Sequence, residues 1–370
     1  MVTVQRLPAS LTPLDAALAA VLHGVAPVAP VELPPADALR CIAAALPGLS
    51  AHPPRDVAVS DGWALRATDL VGASSYAPVP LSVPPIWVET GAAMPDGTDC
   101  VVDADAVDGA GPLPQVVVEA IPGQGVRRAG GDVAEGRVAI EAGLAVMPRD
   151  LLLACAAGLK ALCVRRPRLR IVNVPDGQVT ALFIAEAARM AGADVVAIDA
   201  SGRDAAAVAG ALDVDGCDLL ITIGGSGVGR TDASVAALAA RGEVIAHGVA
   251  LQPGRTTAVG RIDTTPVVAL PGAPDQAFAA WWAIAVPVLD RLSGRRPRET
   301  LALPLSRKIA SSVGIAELAL LARRQDAWAT LAIADLSLDA IARADAVLIV
   351  PGDAEGFAAG TLVDAYMLRE

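Results

Sequence analysis

The residues best placed to do chemistry lie in two glycine-rich turns. The first reads Gly224-Gly225-Ser226-Gly227-Val228-Gly229-Arg230-Thr231-Asp232; it follows the apolar stretch 218–223 and precedes a helix-like run over 233–240. The second, Pro271-Gly272-Ala273-Pro274, follows the apolar stretch 266–270 and precedes a run through Trp281 and Trp282. Glycine lets backbone N–H groups approach an anion closely, and a helix N-terminus adds a partial positive charge. Two such turns in one α/β unit point to a phosphorylated ligand at the carboxyl edge of a parallel sheet. The alternative is a pair of tight turns with no ligand. If the first reading holds, Gly225 and Gly272 lie at the same sheet edge and face one cleft. Asp232, expected just inside the following helix, is then placed to hold a hydrated Mg²⁺; otherwise it only favours the helix dipole.

The elements that must carry these turns are legible from periodicity. Residues 168–297 alternate strand and helix: strands at 169–174, 195–198, 218–223, 244–246, 257–259 and 267–270, with helices over 180–191 and 205–212. That pattern is a doubly wound, mostly parallel α/β domain. The N-terminal part, residues 1–53 and 120–167, reads as helical and mixed, with helices at 12–23, 36–45 and 149–159. Between them, residues 54–119 are short apolar alternations broken by Pro and Gly, a β-rich insert. Residues 298–370 read as a small C-terminal β domain, with strands at 329–333 and 346–350.

Composition narrows the function. A chain of 370 residues supports two or three domains. Its net charge of −11 argues against a general nucleic-acid binder, though a local turn or arginine can still bind one small anion. The five cysteines are scattered without a CxxC pair, and there are three histidines, so a structural zinc site or a disulfide scaffold is not expected. Reduced thiols in a cytoplasm are the simpler account. The longest apolar run, 277–289, is too short to span a bilayer and reads as a buried helix. A nicotinamide-binding reading fails because the first turn lacks the full G-x-G-x-x-G spacing.

Six motifs in order point further. They are Val59-Ser60-Asp61-Gly62-Trp63-Ala64-Leu65, the segment from Glu89-Thr90-Gly91-Ala92 to Val102, Arg128-Ala129-Gly130-Gly131-Asp132-Val133, the turn at 224–232, Gln252-Pro253-Gly254-Arg255, and Leu270-Pro271-Gly272-Ala273-Pro274. Together they resemble the molybdopterin molybdotransferase family (bacterial MoeA, gephyrin E domain), over nearly the whole chain. The resemblance implies insertion of molybdate into adenylylated molybdopterin with release of AMP, assisted by a divalent cation such as Mg²⁺. It implies a homodimer whose pocket is completed by the partner's N-terminal part, and transient contact with other cofactor-biosynthesis proteins or molybdoenzymes. It assigns Asp61, Asp132 and Asp232 as catalytic, and Asp232 with Asp176 as metal ligands. The substrate would be held by Thr90, Gly224, Gly225, Ser226, Gly227, Gly229, Pro253, Gly254, Arg255, Pro271, Gly272 and Pro274. For Asp61 and Asp132 the alternative is a turn-forming aspartate beside glycine.

The sequence also departs from that family. After the first α/β strand it reads Asn173-Val174-Pro175-Asp176-Gly177-Gln178, with Gly177 where the family has Glu and a long loop nearly gone. Gln252 replaces a lysine, whereas Arg255 keeps a charge and offers a planar fork of donors. The order Ser226-Gly227 is closer to the related adenylylating domains. Two functions therefore stay open: a MoeA-like transferase, and a non-catalytic protein that binds or carries molybdopterin or finished cofactor.

Overall fold

The structure is a computed structural model and describes residues 5–368. Its α/β domain is built on β1 (Arg168–Asn173), β2 (Asp194–Asp199), β3 (Leu219–Ile223), β4 (Glu243–His247), β5 (Ala258–Ile262) and β6 (Thr265–Leu270). These form one six-stranded sheet in the order β2-β1-β3-β6-β5-β4. The β1–β2, β1–β3 and β3–β6 pairs are parallel; β5 and β4 close the edge antiparallel. The chain steps from β1 outward to β2, then crosses back to β3 on the other side. That reversal opens a crevice at the carboxyl ends of β1 and β3.

Helices cover both faces, which is why all five residues of β3 are buried. On one face lie α1 (Gln178–Met190), α4 (Pro274–Ala280) and α5 (Val286–Ser293), packed through Ile184, Ala188, Ala277, Phe278 and Leu289. On the other, α2 (Ala205–Ala211) and α3 (Ser234–Arg241) contribute Val208, Ala237 and Leu238. Each fully buried Ile or Leu, such as Ile171 or Ile184, contributes about 1.5–3 kcal/mol. The expected buried helix over 277–289 is present but not uniform. Pro287 has no N–H to give to the carbonyl four residues back, and Trp281–Ala285 widens into a π turn in which the Val286 N–H reaches Trp281 O.

The strand Val249–Gln252 leaves this sheet. It pairs in parallel with Thr12–Pro13 on one side and with Ala316–Arg324 on the other, inside a seven-stranded sheet. Ala346–Val350, Leu362–Met367, Thr300–Pro304 and the hairpin strand Ala327–Ile333 complete that sheet. Residues 249–252 thus sit between α/β strands in sequence but belong to the C-terminal sheet in space.

In the N-terminal part, helices occupy Leu14–Leu22 and Pro148–Ala156, near the expected positions. The helix expected over 36–45 is absent. After a short turn anchored on the Pro34 carbonyl, Arg40 adopts φ +70°, which ends helical geometry, and Ile42–Ala43 pairs instead with Val164–Arg165. The β-rich insert centres on Gly62–Leu65, flanked by Ile86–Val88 and Cys100–Val102. Gly62 is dictated by crowding, since a Cβ there would lie 2.2 Å from the Val102 carbonyl. Trp63 and Trp87 meet edge-to-face at 5.1 Å across the pair. Burial pushes the Cys100 thiol up to about 11. No helix among the described residues is long and apolar enough to cross a membrane.

Candidate functional site

A cavity of about 400 Å³ opens where the strand order reverses. Its wall is made by the loop after β1 (Val174 to Gly177), the first glycine turn after β3, and Pro271, Gly272 and Ala273 after β6. Both turns therefore share one sheet edge and one cleft, as expected. They are nearly in contact: a Cβ on Gly272 would stand 3.3 Å from the Gly224 Cα. Thr180 on α1 donates to Gly272 O at 2.7 Å, and Ser234 Oγ donates to Gly224 O at 2.7 Å. Gly224 and Gly225 have φ +87° and +70°, a pair of left-handed residues that side chains disfavour.

The turn leaves its amides open. The N–H groups of Gly225, Ser226 and Gly227 have no hydrogen-bond partner among the described residues. Six buried side-chain polar atoms among those residues lack a partner, and Asn173 Oδ1, Thr222 Oγ1 and Ser226 Oγ are three of them. All three belong to the carboxyl ends of β1 and β3 or to the turn itself. Buried polar groups without protein partners mark places where ordered water or ligand oxygen completes the hydrogen bonding.

The charges around the cavity differ from the sequence expectation. Asp232 lies ahead of α3 rather than inside it, and its Oδ2 accepts the Gly229 N–H at 2.9 Å. Asp176, at φ +81°, points an exposed carboxylate outward. Between them sits Arg203, which also lines the cavity. Its guanidinium is 3.3 Å from Asp176 Oδ2 and 3.6 Å from Asp232 Oδ1, and it donates to Pro175 O. Both carboxylates expected to hold Mg²⁺ thus face a cation that the chain itself provides. No group of three or more His, Cys, Asp or Glu suited to a metal occurs among the described residues. As they stand, these side chains do not offer an open divalent site. Arg203 escaped the sequence reading because no glycine signature surrounds it. Its one signal is position: it follows β2 just before α2, whose N-cap Asp204 accepts from the amides of Ala206 and Ala207.

The loop Gln252-Pro253-Gly254-Arg255 abuts the cavity without supplying a charge to its wall. Thr256 lines the cavity, whereas Arg255 is exposed outside it. Gly254, at φ +117°, packs against α4: a Cβ there would be 3.2 Å from Gln276 O. Gln252 turns the other way and donates to Ala334 O at 3.4 Å, so the missing lysine is replaced by a contact to the C-terminal sheet. Pro274 opens α4 just beyond the wall.

Thr90 and Asp132 lie elsewhere, at a second cavity of about 470 Å³ lined also by His52, Arg55 and Arg127, and Asp61 is bound to Thr90 beside it. This cavity shares no lining residue with the first. Asp61 Oδ1 accepts the Thr90 N–H at 2.7 Å and its hydroxyl at 3.0 Å; the backbone bond first, then the hydroxyl, holds the carboxyl below the usual range. Asp132 pairs with Arg127 at 3.1 Å.

Fold and cavity together define a multidomain protein whose doubly wound domain presents a backbone cradle for an oxyanion. Comparison with known proteins is consistent with this. Residues 12–158 match the model described as MoeA N-terminal region (domain I and II), and residues 178–291 match the one described as probable molybdopterin binding domain. Molybdopterin molybdenumtransferase 2 of Mycobacterium tuberculosis is 35% identical over 235 residues, 56% of this chain and 57% of that protein. Molybdopterin molybdenumtransferase of Haemophilus influenzae is 27% identical over 236 residues, 56% of each chain. The matches thus span a little over half the length of these relatives. The solved MoeA protein of Pyrococcus horikosii superposes with a TM-score of 0.71 at 24% identity, covering 98% of this chain and 100% of that one, which establishes the fold. Along residues 12–158 and 178–291 this chain is thus similar to MoeA proteins, whose fold it shares.

Proposed function

We propose that the protein works in molybdenum cofactor biosynthesis as a MoeA-like transferase that inserts molybdate into adenylylated molybdopterin and releases AMP. The observation that carries this reading is the cavity itself, lined by Gly225 and Gly227, whose amides have no partner among the described residues, and by Arg203. Amides pre-set in this way stabilise charge on a phosphoryl oxygen without reorganising. Arg203 offers a planar fork that suits a phosphate or molybdate oxygen. Arg203 faces the two carboxylates that would hold Mg²⁺, so a divalent cation would be carried mainly by the substrate's own phosphates. The homodimer is part of the proposal. It would bring the partner subunit's copy of the Asp61–Asp132 cavity opposite the glycine turns, which one subunit keeps as separate cavities. A cytoplasmic location and transient contact with other cofactor-biosynthesis proteins belong to the same proposal.

A second reading, a carrier that binds molybdopterin without turnover, is favoured by one specific observation. Arg203 neutralises the two carboxylates that a metal would use. One assay separates the two: purified protein is mixed with adenylylated molybdopterin, molybdate and Mg²⁺, and AMP is followed. AMP released in step with molybdate uptake supports the transferase. Tight pterin binding with no AMP at any Mg²⁺ concentration supports the carrier.

A further inference from the structure

Four successive carbonyls of the first glycine turn are each held by a side chain. Ser234 Oγ donates to Gly224 O at 2.7 Å. Gln5 Nε2 donates to Gly225 O at 3.0 Å and to Gly227 O at 2.8 Å. His247 Nε2 lies 2.9 Å from Ser226 O, and since a carbonyl only accepts, that ring nitrogen carries the proton. In a trans peptide the carbonyl of one residue and the N–H of the next point in opposite directions. Fixing the carbonyls of Gly224 to Gly227 therefore sets the directions of the N–H groups of Gly225 to Val228, each pointing away from the carbonyl of its own peptide, and none of these four amides has a partner among the described residues.

Gln5 does a second job with its other atom. Its Oε1 accepts the N–H groups of Val235 and Ala236 at 2.9 and 3.1 Å, in the first turn of α3. The residue at the N-cap position, Ala233, makes no side-chain cap bond. A residue 230 positions away thus fills the helix start. These two helix amides are therefore already satisfied, unlike those of the turn.

Both clamping residues hang from one corner. Thr12 donates to Gly248 O at 2.9 Å and the Thr12–Pro13 strand pairs with Val249–Ala250, which steers the preceding segment toward the turn. Leu7, Pro8 and Leu11 crowd Gly248, where a Cβ would meet them at 3.0–3.2 Å. His247 is the residue before it.

We propose that Gln5 and His247 are positioning residues that hold the glycine turn with its amides presented to the ligand's oxyanion. The proposal rests on the phosphate-binding reading of that cavity. The test uses the full chain, AMP as probe in calorimetry, and amide hydrogen exchange at Val235 and Ala236. Gln5→Met removes both halves of the amide and is expected to lose protection at the two helix amides and weaken AMP about tenfold. Gln5→Glu keeps an acceptor for those amides but sets a carboxylate against the turn carbonyls. Protection is then retained while AMP binding still weakens about tenfold, a split that a general loss of folding does not produce. His247→Ala weakens binding, and His247→Gln, which restores an N–H donor, recovers it. Unchanged AMP affinity in Gln5→Met and Gln5→Glu, with Gly225→Ala abolishing binding, overturns the proposal and leaves the phosphate site standing. If Gly225→Ala also leaves AMP binding intact, the phosphate reading itself fails. Retained protection in Gln5→Met overturns the helix-start half of the assignment.

Discussion

The two cavities are built from opposite materials. The one at the glycine turns is made of backbone: left-handed glycines, buried strand ends and amides without partners. The one beside Asp61 and Asp132 is made of exposed side chains already tied to one another, Asp61 to Thr90 and Asp132 to Arg127. A backbone cradle is rigid and intolerant of substitution, because its geometry and its chemistry are the same atoms. A side-chain cluster tolerates substitution structurally and can exchange partners when a ligand or a second subunit arrives. The first cavity is therefore preset by the backbone, whereas the second is a surface whose pairs are available for rearrangement.

The contrast breaks most sharply at Gly225. A left-handed alanine costs about 1–2 kcal/mol in backbone conformation alone. Its Cβ would also stand 2.5 Å from Ser234 Oγ, the group that holds Gly224 O. Gly225→Ala is expected to lower the denaturant midpoint and to abolish binding of a phosphorylated ligand. Asp132→Ala, by contrast, is expected to leave the midpoint within about 0.5 kcal/mol, as for an exposed ion pair. Equal losses in the two variants would remove the distinction between cradle and surface.

Arg203 gives the next largest effect. Arg203→Ala is expected to weaken a phosphate ester by about 1.5–3 kcal/mol, the scale of hydrogen bonds to charged groups. Arg255→Ala, outside the cavity wall, is expected to cost less. The same Arg203→Ala variant frees Asp176 and Asp232, so Mg²⁺ binding measured by calorimetry should strengthen. If Mg²⁺ binds more weakly instead, Arg203 is not the group that competes with it.

Gly177 stands where the resembled family has Glu. Restoring the family's Glu looks like a simple repair in sequence, but a Cβ at 177 would lie 2.5 Å from Asn173 Oδ1. Asn173 is buried and its Nδ2 donates to Asp199 at 2.7 Å, so it has little room to yield. Gly177→Glu is expected to destabilise by about 1–3 kcal/mol, as overpacking does, with no gain in AMP release. Adding Asn173→Ala should recover part of the stability, read as a shift in thermal midpoint.

What the sequence made legible follows from range. The strand–helix alternation, the two glycine turns and the motif order are local patterns, and each appears where expected. Arg203, Gln5 and His247 were not legible as site residues because tertiary folding brings them to the turn from β2, the N-terminus and the end of β4. The helix expected over 36–45 failed for a related reason: Ile42 and Ala43 gain more by pairing with Val164 and Arg165 than a short helix following two prolines can return. The departure of Val249–Gln252 into the C-terminal sheet was hidden likewise, since a buried apolar strand does not announce which sheet it joins.

The smallest expected effect sharpens the side-chain half of the comparison. Asp61 accepts two hydrogen bonds from Thr90, and both favour its charged form, so its pKa falls below the ordinary 3.8. A carboxyl depressed on folding adds stability above its unfolded pKa and loses it as pH falls through the folded value. The Asp61–Thr90 link should therefore persist at mildly acidic pH and dissolve only below the ordinary carboxylate range. The Thr90 amide resonance, downfield while it donates to a carboxylate, reports this directly in an NMR titration. Its midpoint should lie below 3.8 and vanish in Asp61→Asn, while the amides of the glycine turn stay unmoved over the same range. A Thr90 midpoint at or above 3.8 would mean that the Asp61 carboxylate is free and that Thr90 is not its preset partner.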